Sequence, residues 1–323
     1  MIDELNMIIT DGNILRNGFI IRDGFVFTIG GNPGVFDTLV IRSPNNSVGP
    51  SSRLGFSEKS LEDHIRLVNR YQLTTAKIIC KDLSFILECP SLSHISVYPD
   101  HEVGDGFDYS PLYQMPHLKQ VCCLTRYGFR DEYKCTIDYS KISGIIDIAA
   151  AGQGHNGYEM VPSLETLWIS NSRKHRDFQE ISCSARLQDV TLMQCGLQTL
   201  DGIEKYPQLR SLALYHNRSL SDISALDGIG DALQTLVIEG CPRISDFTVL
   251  PTLVKLEHLR LYGSNVLPTL AFLKEMPSLK TFTFTMNVED GDLSLCQNIP
   301  YASCKNRRHF NLKDNQLPKK IEI

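Results

Sequence analysis

Six times between Leu164 and Phe284 the chain repeats one phrase: an apolar residue, two others, an apolar residue, one other, an apolar residue. The copies are Leu164-Leu167-Ile169, Leu187-Val190-Leu192, Leu209-Leu212-Leu214, Leu233-Leu236-Ile238, Leu256-Leu259-Leu261 and Leu279-Phe282-Phe284. Their first positions are 23, 22, 24, 23 and 23 residues apart. Such a period restricts the fold more than any other feature of the chain. Apolar residues two apart on a short strand point the same way. A single copy cannot bury them, but stacked copies share one continuous core. The ninth position of four copies is Cys195, Asn217, Cys241 or Asn287. A side chain of that kind can satisfy the main chain where a strand turns inward, a polar group that a core cannot leave dry.

Together with the lead-ins "PSLETL", "PQLRSL" and "PSLKTF", these copies resemble the leucine-rich repeat family. The segment "LQDVTLMQCGLQTLDGIEKYPQ" (187–208), with later apolar positions at Leu197, Leu200 and Ile203, is similar to the short bacterial internalin-like class. The resemblance implies an α/β solenoid, a horseshoe with a parallel β-sheet on its concave face. Weaker copies extend the array backward: Leu118-Val121-Cys123, Leu92-Ile95-Val97, Leu73-Ala76-Ile78 and Phe36-Leu39-Ile41, with an ambiguous register around Ile142-Ile145. The expected organisation is a β cap over 1–35, a solenoid of about ten or eleven repeats over 36–287, and an irregular cap with a basic tail over 288–323. The repeats are irregular before 160. A helix is inserted near 57–72, started by Ser60 and Asp63, with Leu61, Ile65 and Val68 on one face. At the N-terminal end, Phe19 to Arg22 and Phe25 to Ile29 flank Asp23-Gly24, the signature of a hairpin. The tail carries Lys305, Arg307, Arg308, His309, Lys313, Lys319 and Lys320; it reads as a solvated terminal cap or as a contact for an acidic partner.

One stretch suggests another fold. "GIIDIAAAGQGHNGYEM" (144–160) contains Gly152-x-Gly154-x-x-Gly157, the spelling of a dinucleotide-binding turn. That fold needs a crossover helix of about ten residues after the third glycine. Here Pro162 follows closely, and the next repeat has begun by Leu164. The acidic residue expected on a second strand is replaced by Asp177, inside the polar run "SRKHRDF". The glycines are therefore expected to form the loop of one repeat and to hold no cofactor.

Composition narrows the function. A formal charge of −5 and a pI near 6.0 give no footprint for nucleic acid. No segment has the length of a membrane span, and the start lacks a basic, apolar export signal. The ten cysteines are scattered without Cys-x-x-Cys, which points to reduced thiols in a cytoplasm and to no zinc site. No catalytic, phosphate-loop or calcium-loop motif occurs.

What the repeat offers is a surface. Alternation along each strand turns the residues between and beside the paired leucines outward. Trp168 and Arg260 lie between them, Tyr215, Glu239 and Tyr262 just after, and His258 just before. Aromatic and arginine side chains dominate protein interfaces, so these six are the candidate partner-binding residues. The expected activity is non-enzymatic: a monomer whose concave face binds another protein, as an inhibitor, immunity-type factor or adaptor. The alternative is an enzyme with a cysteine and histidine site, Cys122 or Cys123 with His94 or His155, or a ligand site at the Gly152–Gly157 loop.

Overall fold

The computed structural model describes residues 13–15, 19–22, 25–28, 38–42, 59–99, 103, 106–124 and 135–320. They fall in two compact units, Met1–Tyr158 and Glu159–Ile323.

The first unit opens with antiparallel strands. β1 (Asn13–Leu15), β2 (Phe19–Arg22), β3 (Phe25–Thr28) and β4 (Thr38–Arg42) pair antiparallel among themselves in chain order. The expected turn residues Asp23-Gly24, and Phe36, lie outside the described residues. From β4 the direction is constant. β5 (Thr75–Cys80), β6 (His94–Pro99), β7 (Gln120–Leu124) and β8 (Asp147–Ala151) each pair parallel with the strand before. Parallel neighbours need a return path; 3-10 turns at Ser84–Glu88 and Tyr139–Lys141 lie on it. The inserted helix, α1 (Leu61–Tyr71), starts with a capping box in which Ser60 and Asp63 each accept from the other's main chain. Its most buried residues are His64 and Val68, with Leu61 and Ile65 half-buried, so the apolar face is rotated from the one expected. The His64 ring stands edge-on to Phe25, with centroids 5.1 Å apart.

The second unit is a run of parallel strands. β9 (Thr166–Ser170), β10 (Asp189–Met193), β11 (Ser211–Tyr215), β12 (Thr235–Glu239) and β13 (His258–Tyr262) pair in order. Beyond β13 the short β14 (Val266–Leu267) pairs with β16 (Asn287–Val288), while β15 (Thr281–Phe284) and β17 (Tyr301–Cys304) continue the main sheet. β17 shows that the coils run past the expected end at 287. Ala302 and Cys304 fill the two strand positions that Phe282 and Phe284 fill one coil earlier, and small side chains hid the pattern.

Inside both units one rule holds. The phrase residues are buried: Leu167, Leu212, Leu236 and Phe282 are wholly inaccessible, as are Ala76, Val121 and Ile148. The uncertain coil is settled by Val121↔Ile148 and Cys123↔Ala150, which make its phrase Ile145-Ile148-Ala150 and not one starting at Ile142. In the second unit every strand from β9 to β13 leaves through a residue with positive φ: Asn171, Gln194, His216, Gly240 and Gly263. Their N–H groups bond the next coil, as in Gln194 to the Tyr215 carbonyl at 2.8 Å. A second device recurs at the starts of the 3-10 turns, where an Asp accepts the N–H two residues on: Asp82 from Ser84, Asp222 from Ser224 and Asp246 from Thr248.

The end of the chain covers the last strand. Tyr301 pairs antiparallel with Lys319, and the Ala302 N–H donates to the Pro318 carbonyl at 2.9 Å, so β17 presents no open edge there. Two of the tail lysines are used within the fold. Lys313 Nζ donates to the carbonyls of Arg307 and Phe310, and Lys319 Nζ to the Ala302 carbonyl and to Asp314.

Candidate functional site

Parallel pairing without slippage in the second unit arranges its outward side chains in rows. One row runs Trp168, Thr191, Ala213, Val237, Arg260, Thr283. The next runs Ser170, Met193, Tyr215, Glu239, Tyr262, and a third runs Thr166, Asp189, Ser211, Thr235, His258. All six residues singled out in the sequence thus lie on one face. His258 and Arg260 are exposed, and Trp168, Tyr215, Glu239 and Tyr262 are half-buried. The rows are not uniformly open: Ser170, Ala213 and Val237 are buried although they point outward. Ala213 and Val237 are short side chains between longer ones in their own strands, Tyr215 and Glu239 among them.

The right-hand part of this face is held in place by its own contacts. The Tyr262 hydroxyl donates to Thr283 Oγ1 at 3.1 Å, and His258 Nδ1 lies 2.9 Å from Thr281 Oγ1. The Arg260 guanidinium stands 5.8 Å from the Tyr262 ring centroid, within the range of a cation–π contact. From Trp168 to Arg260 is four strand spacings, about 19 Å, and three rows span about 13 Å, so the patch covers roughly 250 Å².

Behind the face, buried polar side chains serve the main chain. Asn217 donates from Nδ2 to the Leu192 carbonyl and accepts the Cys195 N–H, both at 2.8 Å. The thiols of Cys195 and Cys241 approach carbonyls of the strands beside them, Ile169 and Leu214 at 3.7 Å. Burial pushes both up to about 11, so both remain thiols. In the following coil the buried residue is Asn265, one place later than the repeat's ninth position. It donates to the Cys241 and Ile244 carbonyls at 3.0 and 2.7 Å. Asn287 does not take this role: Met286 is buried beside it and Asn287 is only half-buried.

The first unit holds a different arrangement, and the glycine motif is part of it. Gly152 follows β8 at φ +99, the same strand exit filled later by Asn171 and Gln194. Gly154 is required by a close approach, since a Cβ there would lie 2.2 Å from the Cys135 carbonyl oxygen. Main-chain bonds join the two segments: Cys135 N–H to the Gln153 carbonyl at 3.0 Å, and Tyr139 N–H to the Asn156 carbonyl at 2.9 Å. The glycines therefore let a loop lie against the segment 135–140.

That loop carries His155 inward. His155 Nε2 lies 3.0 Å from the Ala151 carbonyl, which only accepts, so Nε2 bears a proton and Nδ1 can accept the Tyr139 hydroxyl, also at 3.0 Å. The two rings stack, 5.9 Å apart and 11° from parallel. On the same cluster Cys123 Sγ lies 3.6 Å from Cys135 Sγ and 3.5 Å from the Tyr109 hydroxyl. Both sulfurs are buried. The hydrogen bond between Cys123 and Cys135, with the nearby His155 ring and Tyr109 hydroxyl, holds the Cys135 thiol below the usual thiol range against the effect of burial. The same bond, with burial, pushes Cys123 up. Burial also keeps the Tyr109 and Tyr139 phenols protonated.

Of the cysteine and histidine pairings open in the sequence, two are not made. β6 and β7 pair His94 with Gln120 and Ser96 with Cys122, and His94 Nδ1 lies 2.9 Å from the Ser93 hydroxyl. Burial raises the Cys122 thiol. Cys123 and His155 do share a cluster, through Cys135, which has no phrase position to single it out. Among the described residues no group of three or more His, Cys, Asp or Glu side chains is placed to hold a metal ion, and no helix is long and apolar enough to cross a membrane.

No protein-family model matches the sequence, and no curated protein matches it. Solved structures do. An internalin, InlF, of Listeria monocytogenes is similar over 76% of this chain and 73% of its own, at 18% identity and a TM-score of 0.52. A leucine-rich repeat protein of Leptospira interrogans is similar over 79% of this chain and 59% of its own, at 15% identity and a TM-score of 0.46. With the parallel coils described above, the likeness to InlF makes the fold a leucine-rich repeat solenoid.

Proposed function

We propose that this chain is a non-enzymatic protein-binding module whose contact surface is the outward sheet face of residues 159–323. The observation that carries the reading is the stacking of Trp168, Tyr215, Glu239, Tyr262, Arg260 and His258 in adjacent rows of one parallel sheet, all at least partly open to solvent. Aromatic rings and guanidinium groups give large contact area for few rotatable bonds. A patch of roughly 250 Å² is about a third of one side of a standard interface, so the partner reaches beyond these six residues. The partner is a protein; the net charge of −5 disfavours nucleic acid and anionic lipid alike. Within this reading the chain is a cytoplasmic bacterial monomer that acts as an inhibitor, immunity-type factor or adaptor, because it offers a recognition surface and no catalytic motif.

The test is a pull-down from the source organism with wild type and with the Trp168→Ala, Tyr215→Ala double variant, compared at equal folded fraction. Loss of an anchor costs about 2 kcal/mol or more, roughly thirtyfold in affinity. Partners held by wild type should be lost by the double variant. Full retention of every partner would overturn the reading and move attention to the tail from Lys305 to Lys320.

A further inference from the structure

We infer that Cys123 and Cys135 are a peroxide-reactive dithiol that closes to a reversible disulfide. The proposal stands on the cluster in residues 1–158 and is independent of the sheet face of residues 159–323. Its first ground is position. The two sulfurs are in contact at 3.6 Å, and a modest side-chain rotation would bring them to the bond length of about 2.05 Å.

The second ground is what surrounds the pair. Cys195 and Cys241 face carbonyl oxygens, which accept and so keep the S–H intact. The Cys123–Cys135 pair is set among side chains instead: the two sulfurs touch each other, and the Cys123 S–H reaches the Tyr109 hydroxyl at 3.5 Å. These contacts, with the His155 ring in the same cluster, hold Cys135 below the usual thiol range, and the thiolate is the nucleophile. Both nitrogens of that imidazole are held, by the Tyr139 hydroxyl and the Ala151 carbonyl. The third ground is access. Both sulfurs are buried, which favours a small neutral oxidant such as hydrogen peroxide over bulky reagents.

The chemistry balances with peroxide as the oxidant. The Cys135 thiolate attacks one peroxide oxygen. The O–O bond breaks, and the leaving hydroxide takes up a proton as water. Cys135 is now a sulfenic acid. Cys123 gives up its proton and attacks the Cys135 sulfur. The S–O bond breaks, and the departing hydroxide combines with that proton as a second water. Two thiols have lost two electrons, and one peroxide has become two waters. An added dithiol reverses the step by thiol–disulfide exchange.

The experiment exposes the full reduced chain to limiting hydrogen peroxide, then alkylates remaining thiols and maps peptides by mass. The exposed Cys183 serves as the internal reference. The expected product is a peptide pair joined through Cys123 and Cys135, lost on treatment with dithiothreitol, and formed at least about tenfold faster than oxidation of Cys183. In Cys123→Ser the reaction should stop at a sulfenic acid on Cys135 that a cyclic 1,3-dione traps. Oxidation of Cys183 ahead of the pair, or overoxidation of Cys135 in wild type with no joined peptide, would overturn the proposal. The wild-type map decides by itself if a variant does not fold.

Discussion

The two units meet the same difficulty, a polar side chain buried beside the end of a strand, and resolve it in opposite ways. In residues 159–323, Asn217, Asn265, Cys195 and Cys241 hydrogen-bond to main-chain groups of neighbouring coils. Each partner is a peptide group, so these side chains stay neutral and the interior stays inert. In residues 1–158, Cys123, Cys135, Tyr109, Tyr139 and His155 hydrogen-bond largely to one another. The difference teaches that residue type alone does not set a thiol's character; the groups it faces do. The same contrast separates the proposed roles, recognition on the open sheet face and thiol chemistry in the buried cluster.

The contrast should stop at the polar groups, and the largest expected effect tests this. Leu236 and Ile148 hold the same strand position in the two units and both are fully buried. Leu236→Ala and Ile148→Ala should each cost about 2–5 kcal/mol in denaturant unfolding, the transfer loss plus the cavity. A near-zero cost at Ile148 alone would extend the difference between the units to their cores.

A second measurement probes the one strongly shifted carboxylate of the second unit. Burial raises the Glu159 carboxyl, but hydrogen bonds from His175 and Lys174 outweigh it and bring it from 4.5 down to about 2. A carboxyl depressed on folding contributes stability that is present above its unfolded value and lost as pH falls through its folded one. The contribution should therefore be full above pH ~4.5 and disappear toward pH ~2, amounting to roughly 2–3 kcal/mol. Glu159→Gln should flatten that part of the stability–pH curve. An unchanged slope would show that the Lys174 and His175 contacts do not persist in solution.

A smaller effect sharpens the reading of the glycine loop. Gly154→Ala combines φ +89 with a Cβ only 2.2 Å from the Cys135 carbonyl oxygen. A non-glycine residue in strained backbone costs about 1–3 kcal/mol, and the loop must also shift. The melting temperature should fall, and peroxide closure of Cys123 and Cys135 should change in rate with it. A variant as stable as wild type would mean that the loop does not lie against residues 135–140.

The sequence was readable where side chains are large and the period is kept. Large apolar residues at spacings of 22 to 24 residues located β9 to β13 and β15, and with them the rows that carry Trp168 and Tyr262. It was unreadable where small residues stand in apolar positions. Ala150 concealed the register of one coil, and Ala302 and Cys304 concealed a whole coil beyond 287. The Asp-x-Ser and Asp-x-Thr pairs at Asp82, Asp108, Asp138, Asp222 and Asp246 are a second repeat signal that precedes the short helical turns, 3-10 at four places and α at Ser110–Tyr113, and they recur where the leucines falter. Asn265 sits one place late because Gly263 and Ser264 lengthen the strand exit before it. The Cys135 cluster had no periodic signature, because its members come from a strand, a glycine loop and two turns that meet only in the fold.

The central claim, that the open sheet face is the binding surface, rests most directly on Trp168, the only tryptophan in the chain. A chain labelled with 5-fluorotryptophan gives a single fluorine resonance from the β9 end of that face. Titrated with the partner captured by wild type, the resonance should shift or broaden in step with binding, as the half-buried ring loses its remaining contact with water. A resonance that keeps its position and width while the partner is demonstrably bound would contradict the account.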